Sequence, residues 1–239
     1  TSTYEPVKKQ VTVVINQSQE KPFEFPLAID VYDNGKPKRS NVWVNAKAKN
    51  TFTFDASKAP DLININADGI LVAEIMETKT PEQSLIQFSN SKEFVSRYKA
   101  LSAIKDADAK NPAVVKLLAT ALKDPFYRLR EQALNQSDLT NADQAKALTA
   151  EVEKLASNDP KTLVQAAAIS ALAKTKNAKY SSLFEKGMNA VSNAVKGSSL
   201  AGIADLDPSK VATLADKIDL ENASEDLISK MLPIIVKNK

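Results

Sequence analysis

The chain has 239 residues, a formal net charge of +3, 43% hydrophobic and 6% aromatic residues, and no histidine or cysteine. Lacking imidazole and thiolate, it is excluded from the usual zinc sites, from Ser-His-Asp and Cys-His nucleophiles, and from disulfides. Carboxylate or lysine chemistry, oxygen-ligand metals, or no chemistry remain open.

The length allows one or two domains with a real core. No apolar run approaches the roughly 20 residues needed to cross a bilayer. The opening Thr1-Ser2-Thr3-Tyr4-Glu5-Pro6 has neither a basic nor an apolar stretch, so it is not read as a signal peptide. A soluble protein is expected, in a compartment that the sequence leaves open. The arginines are Arg39, Arg97, Arg128 and Arg130. Most charge alternates in sign, and no basic stripe with interleaved aromatics occurs. Neither a nucleic-acid nor a membrane partner is expected.

Period-2 alternation comes first along the chain. Val11, Val13 and Ile15 predict a half-buried strand, and Phe25, Leu27, Ile29 and Val31 predict another. Asp33-Asn34-Gly35-Lys36 reads as a type I′ hairpin turn. Strands are expected around Val42-Trp43-Val44, Phe52 to Phe54 and Leu62 to Ile65. Asp68-Gly69 marks a turn, and Ile70 to Ile75 reads as the last strand. Pro22 and Pro26 favour an edge position for theirs. Six or seven short strands predict a small antiparallel β-sandwich over 1–79. Trp43 reads as a core or sheet-face residue.

From residue 80 the pattern turns helical. Thr80-Pro81-Glu82-Gln83 combines an N-cap, an N1 proline and a capping-box Gln. Asn90 to Glu93 and Asn222 to Glu225 read as further boxes. Asn111-Pro112, Asp124-Pro125, Asp159-Pro160 and Asp207-Pro208 read as cap-plus-proline helix starts. Helical spacing joins Ala145, Leu148, Val152 and Leu155, and a longer run joins Tyr180 to Val195, with Gly197 as its C-cap.

The helices also repeat. Arg97-x-x-Ala100-Leu101 aligns with Arg130-x-x-Ala133-Leu134, with Gln165-x-x-Ala168-Ile169, and weakly with Gly202-Ile203, at a period of roughly 33–35 residues. Two helices per period predict an α-α superhelix over 80–239, with the small Ala positions letting paired helices approach. Asp124-Pro125-x4-Arg130-x-x-Ala133-Leu134 resembles a HEAT-type repeat. The resemblance implies an Asp–Arg ladder between neighbouring units, so Arg97, Arg130, Asp124 and Asp159 are expected to be structural. Arg128 stands outside the ladder and is the candidate for a partner or substrate.

Three stretches carry a second resemblance. They are Val11-Thr12-Val13-Val14-Ile15-Asn16-Gln17 with Pro22-Phe23-x-Phe25-Pro26-Leu27, then Asn66-Ala67-Asp68-Gly69-Ile70-Leu71, then Gln87-Phe88 through Phe94-x-x-Arg97-Tyr98-x-Ala100-Leu101. Together they resemble the β-sandwich and helical C-terminal region of M1-family zinc aminopeptidases. That family's His-Glu-x-x-His, later Glu and Gly-rich motifs are missing. The resemblance implies a non-catalytic segment with no cofactor of its own and zinc in an upstream catalytic domain. Its implied partners are that domain and the parent's peptide substrate, whose access the helical part would limit. The alternative is a stand-alone HEAT-like scaffold for protein–protein interaction.

Other constellations read as structure. Asp30-x-x-Asp33-Asn34-Gly35 lacks calcium-loop spacing and reads as a hairpin. Asp207 reads as an N-cap rather than a ligand beside Asp205. Lys8-Lys9 and Lys36-Pro37-Lys38-Arg39 read as solvated loop charge.

Overall fold

The computed structural model describes residues 1–215 and 225–237. Strands come first and helices follow. The chain forms two compact units, Thr1–Asp106 and Ala107–Lys239.

In the first unit, β1 (Ser2–Glu5), β2 (Gln10–Asn16) and β5 (Lys49–Asp55) form one antiparallel sheet in the order β1-β2-β5. The other sheet has the order β4-β3-β6, with β3 (Phe25–Asp33), β4 (Lys36–Val44) and β6 (Leu62–Ile65). Alternate side chains of both sheets meet in one core, where Val11 and Val13 pack with Leu27, Ile29, Val31 and Val44. The β3–β4 turn is the expected type I′ hairpin: Asp33 pairs with Lys36, and Asn34 and Gly35 take φ 51° and 71°.

Three expectations need correction here. Residues 70–75 form no strand. The Asn66 side chain takes both backbone groups of Leu71, accepting from its N–H at 3.1 Å and donating to its carbonyl at 2.9 Å. Those groups cannot then join a ladder, and Val72 is left 99% exposed. Instead β1 supplies the uncounted strand. Its polar residues carry no apolar alternation, but it pairs along β2 from Ser2↔Val13 to Glu5↔Gln10.

Second, Pro26 lies on the central strand rather than an edge strand. β6 pairs only with Ile29 to Tyr32, so the flank of β3 at Pro26 needs no donor. Third, β3 is buried on both faces from Leu27 to Tyr32, not on one. Asp30 on its second face holds Arg39 by two 2.8 Å bonds. Trp43 lies on a sheet face, 53% exposed.

Helices α1 (Pro81–Asn90) and α2 (Phe94–Ser102) complete this unit. Thr80 and Gln83 form the expected reciprocal capping box. The box expected at Asn90 does not form. Asn90 ends α1, and α2 starts from Glu93 without a side-chain cap. Between the helices, buried Gln87 donates to the Ser96 carbonyl at 2.8 Å.

The second unit is a stack of helical hairpins. α3 (Pro112–Ala121) pairs with α4 (Tyr127–Gln136), α5 (Ala142–Asn158) with α6 (Thr162–Ala173), and α7 (Ser181–Gly187) with α8 (Asn193–Leu206). α9 (Val211–Ala215) packs with α10 (Glu225–Lys237). The second helices α4, α6, α8 and α10 pack successively into one layer, and α3 packs on α5 in the other.

Asn111 caps α3, and Asp207 caps a 3-10 turn at Pro208–Lys210, as their prolines suggested. Asp124 and Asp159 do not cap α4 and α6. Those helices begin two residues later than expected, after Phe126 and Lys161. Each Asp instead accepts the N–H two residues on, at 2.8 Å, in a turn that leads into the helix.

The run Tyr180 to Val195 is also not one helix. It breaks between α7 and α8, and Gly197, expected as a C-cap, is buried inside α8. The expected box at Asn222 to Ser224 lies outside the described residues.

Candidate functional site

The repeat positions are internal. Ala100, Ala133 and Ala168 are fully buried, next to buried Leu101, Leu134 and Ile169. Two hairpins are joined by charge. Arg130 Nε and Nη2 donate to the two carboxylate oxygens of Asp159 at 2.7 and 2.9 Å. The Arg130 Nη1 also donates to the Asp124 carbonyl at 2.8 Å, and Gln165, one repeat on, does the same to the Asp159 carbonyl at 2.7 Å. The Asp-Pro turn therefore leaves the Asp carbonyl for its own repeat and, at Asp159, the carboxylate for the preceding one. Arg97 donates to the Lys92 carbonyl.

Arg128 is placed differently. Its side chain is 52% exposed on α4 and pairs with Glu131 at 3.0 Å. Its guanidinium lies 5.1 Å from the Tyr127 ring centroid, and the Lys161 ammonium lies 5.5 Å from the same centroid. The Phe126 and Tyr127 rings meet at a tilt, their centroids 5.4 Å apart. Two cations and two aromatic rings thus gather where α4 and α6 begin. Glu131 holds the Arg128 pKa above its ordinary value, chiefly through their hydrogen bond.

Glu131 also lines a groove of 440 Å³ across the second-helix layer. Its floor is made of small residues, Ala166, Ala167 and Ser170 from α6 and Ala194, Gly197, Ser198 and Ala201 from α8. Ser170 donates to Ser198 at 3.0 Å across the two helices. Leu163 and Ile234 supply larger apolar walls.

The pattern reading found Arg128 but not its companions. Tyr127 and Lys161 stand in neighbouring repeats, so only the stacking of hairpins brings them together. Gly197, a glycine inside an apolar helical pattern, lies within α8 rather than at the expected helix end.

The first unit holds a separate cavity of 620 Å³ between its sheets. Among the described residues, no group of three or more Asp or Glu side chains is placed to hold a metal ion. No described helix is long and apolar enough to cross a membrane.

No family model matches the chain, and no curated protein matches its sequence. Among solved structures, an aminopeptidase A of Legionella pneumophila, in complex with aspartic acid, is similar over 99% of this chain at 12% identity and a TM-score of 0.43. The chain spans 31% of that protein's length. At this identity and score the likeness carries no argument.

Proposed function

We propose that this chain is the non-catalytic β-sandwich and helical segment of an M1-type zinc metalloaminopeptidase. In this reading residues 1–79 are the sandwich domain and 80–239 are a HEAT-like repeat domain. The helical domain limits which peptides reach zinc held by an upstream catalytic domain. The observation that carries the reading is the groove across α4, α6 and α8, whose lining Glu131 is paired with Arg128. Small floor residues leave room for a peptide backbone to lie close to the helices. Arg128 offers a planar fork to a peptide carboxylate, with Lys161 as a second cation. To bind, the carboxylate must displace Glu131 from Arg128. The sequence resemblance and the order of strands before helices support the same reading.

The test compares binding of a peptide as the free acid and as the C-terminal amide. The free acid should bind more tightly, and Arg128→Ala should remove about tenfold of that advantage. In the longer enzyme, the same substitution should lower kcat/KM for long peptides and spare single-residue amides, because remote binding energy serves only substrates that reach it. Equal binding of acid and amide, unchanged by Arg128→Ala, would overturn the peptide reading and leave a scaffold for protein partners.

A further inference from the structure

Lys79 plays no part in the peptide site proposed above, and the fold buries it where other ion-paired lysines stay exposed. Its side chain is only 6% exposed, whereas ion-paired Lys8 and Lys154 are each 67% exposed. It lies on the segment Met76 to Lys79, which closes the 620 Å³ cavity between the two sheets. Part of the cavity wall is apolar, with Val11, Val13 and Ile15 on β2 and Ile63 and Ile65 on β6, and the rest is polar, with Ser2, Tyr4, Thr78 and Gln83 among its residues. Lys79 Nζ bonds to Glu77, whose side chain is 24% exposed.

We propose that Lys79 is a nucleophilic amine, and that the cavity admits an apolar aldehyde which condenses with it reversibly to an imine. A desolvated lysine beside an apolar wall is the arrangement in which amines become nucleophiles near neutral pH. The titratable groups around it are Glu77, Lys99 on α2, and Tyr4 of β1, which lines the same cavity. Burial lowers the Lys79 pKa most, Glu77 opposes that shift, and repulsion from Lys99 adds to it.

The condensation balances without a redox partner. The neutral Nζ lone pair attacks the carbonyl carbon, and a nitrogen proton passes to the former carbonyl oxygen. Glu77 then takes the second nitrogen proton and returns it to the hydroxyl, which leaves as water while the C=N bond forms. The aldehyde tail lies along the apolar wall, so alkyl aldehydes are favoured over hydroxylated ones.

The experiment treats the protein with limiting hexanal and cyanoborohydride at pH 7, digests it, and maps the alkylated lysines by mass spectrometry. Lys79 should be labelled at least ~10-fold faster than the exposed Lys8 and Lys154. That preference should shrink at pH 9, where exposed amines gain more from deprotonation. Glyceraldehyde should show no preference for Lys79. With Lys79→Met, hexanal uptake at pH 7 should fall to the surface background. Labelling that follows exposure, with Lys79 among the last to react, would overturn the proposal. The wild-type map decides this even if the variant fails to fold.

Discussion

Gly202 on α8 lies against the Phe184 ring of α7 so closely that a Cβ at Gly202 would be 2.8 Å from two ring carbons. Gly202 holds the repeat position that Ala100, Ala133 and Ala168 hold in the other helices. An aromatic ring fills the space here, so even a methyl group is too large.

Replacing a mid-helix glycine by alanine normally stabilises a helix by about 1 kcal/mol. Gly202→Ala should instead destabilise by about 1–2 kcal/mol, because overpacking a rigid core outweighs the propensity gain. Phe184 is 1% exposed and has little room to yield. Denaturant midpoints measure this. Gly202→Ala combined with Phe184→Leu should lose less than the two single changes added together. Strict additivity would show that the ring is not the obstacle.

The Arg130–Asp159 pair gives a graded prediction. Both side chains are largely buried, 11% and 2% exposed. Truncating one partner of such a pair leaves the other charge uncompensated. Arg130→Ala should therefore cost on the order of 3 kcal/mol. Arg130→Gln should cost less, because Gln165 shows that a Gln at this position reaches the Asp carbonyl. Chemical denaturation compares the two variants. Equal losses would mean that the carbonyl bond contributes nothing.

Asp61 makes the hairpin pH-sensitive. Its carboxylate accepts the Gly35 N–H at 3.1 Å and the Lys58 ammonium at 3.1 Å. The Gly35 bond first, then Lys58, hold its pKa below the ordinary value. A depressed folded pKa adds stability that is present above the unfolded value, near about 4, and lost as pH falls through the folded one. Asp61→Asn should therefore be least stable relative to wild type at neutral pH. The gap should close as both proteins are acidified below about pH 4. Denaturation at a series of pH values checks the slope, and a constant gap would contradict the assignment.

Local periodicity made the strand-then-helix order readable, because each side chain there answers to a nearby core. The same signal misled at Ile70 to Ile75, where alternation is present but Asn66 occupies the Leu71 backbone. It also missed β1, whose polar residues are held by β2 alone. Asp124 and Asp159 showed the repeat but not where its helices start, because a carboxylate two residues before a cap is indistinguishable in sequence from the cap itself. The site was half legible. Arg128 stands out as an arginine beside the ladder position, whereas Tyr127 and Lys161 meet only through packing between repeats. Lys79 carries no mark in the sequence, since its burial depends on how the segment after β6 folds back over the cavity.

The sandwich is built from two three-stranded sheets, so each sheet ends in strands with one unbonded flank. β4 is such a strand, and along it stand Lys36, Pro37 and Lys38, all exposed. A foreign strand aligning there would meet a residue with no amide hydrogen between two ammonium groups. β1 and β6 are only four residues long and offer little template. β4 thus carries its own protection against edge-to-edge aggregation, whereas β5, the seven-residue edge of the other sheet, carries no proline.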